Sequence, residues 1–352
     1  MSSVALSSSD EIIRLNALAD KWRFEPYRTL RNRHLMTIIP SYLPRHYSNE
    51  KLPVDSRIIE VDPDQRVLVH CHWQKDKQNR PTVLIVHGME GSSSSKYALG
   101  TADKAFRAGF NAIRYNMRGC GGSEHLSNTL YNASRSGDVR RVVEHLVKTD
   151  KIENIFLAGF SLGGNIVLKL AAEYTDNPQS EIRGIFAVSP AIDLHASIQE
   201  IMKPANRIYH WNFVFSMRRR MRRRFALYPD LFDPKPLDRI RNIKEFDEIY
   251  TAPNGGFANA DDYYTRASSK PLLPKIKIPT IIVHAMDDPF IPFSMFDSNP
   301  FKGNPWITFC PTTFGAHVGF IGNGGEDYDR FWVEHRVIDF AKHITEATAA
   351  NM

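Results

Sequence analysis

The chain alternates short, continuous apolar runs with longer stretches in which apolar residues return every three or four positions. Six runs, Thr82 to His87, Asn111 to Asn116, Asn154 to Gly159, Gly184 to Ser189, Thr280 to His284 and Trp306 to Cys310, are mostly rich in β-formers and bounded by turn residues, which predicts core strands. Between them, Val139, Val142, Val143, Leu146 and Val147 fall at i, i+3, i+4, i+7 and i+8, a face that must pack on a sheet. Leu99 to Ala108 gives a second helix, and Val333, Val337, Phe340, Ala341 and Ile344 mark a third that closes the chain. Strands and helices in alternation predict an α/β fold with a mostly parallel sheet covered on both faces. Arg57 to Val61 and Val67 to Trp73, close together and ahead of the alternation, predict an antiparallel hairpin at the sheet edge.

The alternation breaks once. Between Pro190 and Thr280 lie 89 residues, where a crossover needs about a dozen. Residues 191–279 therefore read as a helical cap inserted into a core made of 51–190 and 280–352, with 1–50 as an N-terminal extension packing on that core. The centre of the cap, Asn206 to Phe225, carries Tyr209, Phe213, Met217, Met221 and Phe225 at i+4 intervals, with Arg218, Arg219, Arg220, Arg222, Arg223 and Arg224 around its later part. That pattern predicts a basic amphipathic helix.

At 352 residues and 42% apolar content the chain can bury a large core. Its net charge of +6 is local, because eight Lys or Arg and no acid fall between Lys203 and Tyr228. The arginine run can be a solvated helix face or a site of peripheral contact with an anionic membrane; no nucleic-acid partner is expected. The first ten residues hold five serines and no basic cluster before an apolar run, unlike a signal peptide. The nearest approach to a membrane span, Ile155 to Ala172, is interrupted by Ser161, three glycines, Asn165 and Lys169. The expectation is a soluble, cytoplasmic protein. Three widely spaced cysteines, Cys71, Cys120 and Cys310, give neither a disulfide framework nor metal-ligand spacing.

One heptapeptide carries chemistry. Ala158-Gly159-Phe160-Ser161-Leu162-Gly163-Gly164 lies between an apolar run and a helical one, the G-x-S-x-G pattern of a nucleophile elbow. Glycines two before and two after Ser161 allow a turn too tight for a Cβ, and the turn leaves the Leu162 N–H at a helix N-terminus, where developing negative charge is favoured. A serine hydroxyl needs a base held by a carboxylate. His317, after the last predicted strand, is the candidate base, and Asp288, leading into Pro289, the candidate acid. Asp287 reads as a solvated neighbour or a turn cap, and Asp193 as a topologically possible alternative acid. The second oxyanion donor should be Met89 N–H, in His87-Gly88-Met89-Glu90-Gly91-Ser92, with Gly88 permitting close approach and His87 as a supporting hydrogen-bonding group. Ser92 to Ser95 lack the G-x-x-x-x-G-K-[ST] context of a phosphate loop, and Cys120 reads as a small residue in a tight loop.

These motifs are similar to those of the YheT-like group of α/β hydrolases, the AB hydrolase 4 family of bacterial esterase-like proteins, yeast medium-chain ethyl ester synthases and membrane-anchored animal phospholipases. The resemblance runs from Asn32-Arg33-His34-Leu35-Met36-Thr37-Ile38 through His87 to Ser92, Asn116 to Gly122, Ser136-Gly137-Asp138 and Ser161. It continues with Phe246-Asp247, Gly256-Phe257, Asp262-Tyr263-Tyr264, Asp287 to Phe290 and His317-Val318-Gly319-Phe320. Ala316 stands where the family often has glycine, and no counterpart of the amino-terminal anchor of the animal relatives is expected here. The resemblance implies an α/β-hydrolase fold and a serine ester hydrolase of short- to medium-chain acyl esters or lipids, using Ser161, Asp288 and His317 with neither metal nor cofactor. An alcohol acyltransferase on the same site and a non-catalytic ligand-binding fold are the alternatives.

Overall fold

In the computed structural model, residues 15–45, 52–175, 180–325 and 328–349 are described. Eight strands form one sheet: β1 (Asp55–Asp62), β2 (Gln65–His72), β3 (Thr82–Val86), β4 (Asn111–Tyr115), β5 (Ile155–Phe160), β6 (Ile182–Val188), β7 (Thr280–Ala285) and β8 (Ile307–Thr312), in the spatial order β1-β2-β4-β3-β5-β6-β7-β8. β1 pairs antiparallel with β2, and β2 antiparallel with β4; every other pairing is parallel. The expected hairpin thus forms the edge, and β1 alternates buried and exposed side chains from Ile59 to Asp62 while β3, β5 and β7 are buried throughout.

Successive strand residues feed opposite faces. Leu84, Val86, Leu157 and Ile185 pack with Val139, Val142 and Leu146 of α3 (Ser136–Asp150) and Ile166 and Leu170 of α4 (Leu162–Glu173). Val83, Ile85, Phe156 and Phe186 pack on the other face with Ala98 and Ala102 of α2 (Lys96–Arg107) and Val337 and Phe340 of α8 (Trp332–Ala349). The period of two in the strands and of 3.6 in the helices meets across both layers.

The N-terminal residues are tied to the last part of the chain. The Trp22 ring lies 6.1 Å from Phe186 and 6.4 Å from Trp332. Helix α1 (Arg33–Tyr42) starts at Asn32, whose Oδ1 accepts the N–H groups of His34 and Leu35 at 2.9 and 3.2 Å.

Between β6 and β7 the chain forms α5 (Leu194–Ile201), α6 (Arg207–Leu227), α7 (Ala260–Ala267) and several short turns. On α6 the expected apolar stripe faces inward, with Met217 and Met221 buried and Tyr209, Phe213 and Phe225 packed against the core. The arginine run does not form one solvated face. Arg219, Arg222 and Arg223 are exposed and Arg218 is half-buried, but Arg220 and Arg224 are buried, because their turns of the helix coincide with the inward side. No helix among the described residues is long and apolar enough to cross a membrane.

Candidate active site

Ser161 occupies the turn from β5 into α4 with φ 54° and ψ −117°, a conformation an L-residue takes only under constraint. The glycines around it leave no alternative residue. A Cβ on Gly163 would run into the carbonyl oxygens of Val86 and His87, and one on Gly159 would strike Gly163 and the Val167 side chain. Strand and helix can therefore pass at backbone contact, and the Ser161 hydroxyl stands at the C-terminal edge of the sheet.

His317 lies between β8 and α8. Its Nε2 is 2.9 Å from Ser161 Oγ and its Nδ1 is 2.9 Å from Asp288 Oδ2. The other oxygen of Asp288 accepts the N–H groups of Phe290 and Ile291 at 2.8 and 3.0 Å. Burial alone would oppose ionisation of Asp288, but the His317 ring and these donors outweigh it and hold the carboxyl below the usual carboxylate range. Nδ1 facing a carboxylate makes it the protonated nitrogen, which leaves Nε2 as acceptor toward the serine hydroxyl.

The loop around His317 is held from three distant places. Asp287 Oδ1 accepts the Ala316 N–H at 2.8 Å, Thr37 Oγ1 accepts the His317 N–H at 3.3 Å, and Ser189 Oγ accepts the Val318 N–H at 3.3 Å. Asp287, expected as a solvated neighbour or a turn cap, instead clamps the histidine loop, and burial together with the Asp288 charge raises its pKa. Its position beside Asp288 hid this, since only the folded chain brings residue 316 to it. Asp193 caps α5, accepting the Ala196 N–H at 3.1 Å, and pairs with Lys270 at 3.4 Å.

The loop after β3 supplies the other side. His87 is fully buried, and desolvation lowers its pKa to about 4, so the ring is neutral. Its Nε2 accepts the Met117 N–H at 3.1 Å, which assigns the proton to Nδ1; that group donates to the Gly88 carbonyl at 2.8 Å. Gly88 C=O and Met89 N–H belong to one planar peptide unit and point opposite ways, so anchoring the carbonyl fixes the direction of the Met89 N–H. Met89 and Leu162 both border the cavity at Ser161.

Glu90 follows with φ 56°. Its N–H donates to the Tyr131 hydroxyl at 3.0 Å, while that hydroxyl donates to the Glu90 carboxylate at 2.8 Å. Arg220 of α6 reaches the same carboxylate at 2.8 Å and lies 4.3 Å over the Tyr131 ring. A buried arginine of the segment between β6 and β7 thus braces the loop that carries Met89. The sequence signal missed here was the pairing of a lone acid in His87 to Ser92 with a cationic helix that has none. Arg224, the other buried arginine, donates to the carbonyls of Ser127 and Thr129 at 2.8 and 3.1 Å. Arg222 and Arg223 pair with Asp238 and Glu124 at 2.8 and 2.6 Å. Cys120 is buried, and desolvation pushes its thiol up to about 12, which removes nucleophilic character at neutral pH.

Ser161 and His317 open into a cavity of about 610 Å³, bordered by Leu162, Leu194, Ile198, Ile201, Phe213 and Phe290 among others. Its apolar wall is shared by α1, α5, α6 and the loops that carry Met89, Phe290 and Val318, and a volume of this order accommodates a small organic ligand.

Comparison with known proteins agrees with this fold. Residues 81–297 match the family described as alpha/beta hydrolase fold. The chain is 30% identical over 335 residues to the Escherichia coli protein named "Putative esterase YheT", covering 94% of this chain and 96% of that one. It is 31% identical over 250 residues to the monoacylglycerol lipase of Saccharomyces cerevisiae, covering 69% of this chain and 55% of the yeast protein. Among solved structures, a Pyrococcus furiosus esterase superposes with a TM-score of 0.57 at 16% identity, over 86% of this chain and 98% of that chain, a likeness of fold. The chain belongs to the esterase- and lipase-like α/β hydrolases, within the YheT-like group.

Proposed function

We propose that the protein is a serine carboxylic ester hydrolase working through an acyl-enzyme on short- to medium-chain acyl esters. The observation that carries this reading is the unbroken hydrogen-bond chain from Ser161 Oγ through His317 to Asp288, set in the floor of an apolar cavity. Ser161 Oγ attacks the ester carbonyl carbon as His317 Nε2 takes the hydroxyl proton, and Asp288 stabilises the imidazolium that forms. The carbonyl oxygen, now negative, is met by the N–H groups of Met89 and Leu162. Collapse expels the alcohol, which receives its proton from His317. Water then attacks the acyl-serine with His317 again as base, releasing acid and restoring Ser161. Each CH₂ of the acyl chain taken from water contributes about 0.8 kcal/mol, so chain length sets selectivity. Arg220, through Glu90, is a positioning residue for the Met89 donor.

A nitrophenyl ester series of increasing acyl length, run with and without added alcohol, tests the reading. Hydrolysis should peak at one chain length and fall on the order of a million-fold in kcat in Ser161→Ala and His317→Ala. No cleavage at any length would leave a ligand-binding protein, and ester product formed at the expense of free acid would make it an acyltransferase.

A further inference from the structure

Thirteen large apolar side chains among the described residues are exposed, and six of them lie on two helices that border the cavity. Leu35, Ile38 and Tyr42 repeat at i, i+3 and i+7 on α1, and Ile208, Trp211 and Phe215 repeat in the same way on α6. Tyr42 is 81% exposed, Ile208 77%, Phe215 61% and Trp211 52%. The helices are joined: His34 and Tyr209 stack with ring centroids 5.7 Å apart, and the Tyr209 hydroxyl lies 3.1 Å from His34 Nδ1. Each also turns a second apolar face inward, Met36 and Pro40 on α1 and Val214, Met217 and Met221 on α6, so the outward stripes are not needed for the fold. Ile38, Tyr42 and Ile208 border the cavity that reaches Ser161. The exposed apolar surface and the interior of the cavity are therefore continuous.

The two helices carry charge of one sign. α6 holds no acidic residue, and α1 too is free of acids. Arg207 precedes Ile208, and Arg219 follows Phe215 by one turn on the same side of the helix; both are exposed. We propose that this face docks on a lipid bilayer containing anionic lipid, with Tyr42, Ile208, Trp211 and Phe215 entering the boundary between headgroups and acyl chains and Arg207 and Arg219 meeting lipid phosphates. The cavity mouth then opens onto the membrane, and an acyl ester passes from bilayer to Ser161 without crossing water. A second copy of the chain fits less well, because like arginines would face one another across a self-interface with no acid on the helix to pair with them. The delivery of substrate rests on the proposed role of Ser161; the docking itself does not.

The test is co-sedimentation of the full chain with vesicles of phosphatidylcholine alone and of phosphatidylcholine with phosphatidylglycerol, read beside hydrolysis of a water-soluble nitrophenyl ester. The wild type should bind the mixed vesicles more tightly than the neutral ones. Trp211→Ser with Phe215→Ser should lose at least tenfold in partitioning with the soluble-ester rate unchanged, and Arg219→Gln should lose about fivefold on anionic vesicles only. A blue shift of tryptophan emission on vesicles, absent in Trp211→Phe, would place that ring in the lipid. Absence of wild-type binding, binding undiminished in the double variant, or a wild-type dimer that the double variant dissolves would each overturn the proposal. Vesicle binding retained alongside an inactive site would sink the hydrolase reading alone.

Discussion

The turn at Ser161 and the loop at His317 solve the same problem by opposite means. Both must hold a reacting side chain in a backbone geometry that an unconstrained chain avoids. At Ser161 the single residue with positive φ is flanked by glycines at 159, 163 and 164, and the constraint is local: strand, turn and helix follow one another without a break between Ile155 and Glu173. Around His317 there are glycines too, Gly315 with φ 143° and Gly319 against the Met36 carbonyl, but the left-handed positions fall on Ala316, Val318 and Phe320, with φ of 51°, 59° and 43°. A β-branched valine there is unusual. What holds it is distant: Asp287 from the turn after β7, Thr37 from α1 and Ser189 from the end of β6. A turn made by glycines carries its own instructions, whereas a loop made against propensity must be dictated by the rest of the fold.

Substitutions can break or sharpen that contrast. The largest effect is expected from Gly163→Ala, whose Cβ meets backbone oxygens that cannot withdraw; it should cost roughly 3 kcal/mol or more of stability, measured by urea unfolding. A mild loss would mean that the turn is looser than its close contacts imply. Asp287→Ala removes the acceptor for the Ala316 N–H without touching the reacting groups. It should lower kcat by about a hundredfold while KM changes little, because a small displacement of a catalytic group is enough. Equal losses in kcat and in thermal stability across unrelated surface controls would reduce Asp287 to a packing role.

Smaller effects probe the strain itself. Val318→Gly removes the penalty of a left-handed β-branched residue but frees the unfolded chain, so stability should change by less than about 1 kcal/mol while turnover falls. Asp287→Asn keeps an oxygen for the Ala316 amide and removes a charge beside Asp288. The folded-state pKa of Asp287 is raised, so the native chain retains its proton to higher pH than the unfolded chain and loses stability as pH rises through that window. The asparagine variant should therefore gain relative to wild type on going from acid to neutral pH, with the two converging below the unfolded pKa. Parallel stability curves across that range would remove the strain attributed to this carboxylate.

What could be read from the sequence follows the same division. The six core strands lie within about two residues of their expected bounds, because buried parallel strands are continuous apolar runs and the helices between them keep a 3.6 period. Ser161 stood out because its glycines are neighbours in the chain. Asp288 and His317 were found by order and loop context, and they meet Ser161 in the folded chain. The grip of Asp287 on Ala316 and the reach of Arg220 to Glu90 were invisible, since a carboxylate meeting a backbone amide, or one arginine of six meeting a lone acid, follows no motif, whereas Asp288 and His317, as far apart in the chain, follow the order of a known one. The arginine run misled for a related reason: a guanidinium with a carboxylate or carbonyls to meet can sit indoors, and nothing in a run of six arginines says which two will.

The stitching of residues 26–37 to residues 317–322 has a consequence for biosynthesis. Thr37 holds the His317 backbone, the Ile321 N–H lies 3.3 Å from the Met36 sulfur, and Pro26 bridges to Gly322. A ribosome making this chain must pass residue 322 before residues 26–37 find their place. The growing polypeptide stays unarmed until the loop around His317 has emerged, because a nascent product that stops short of it has no base beside Ser161.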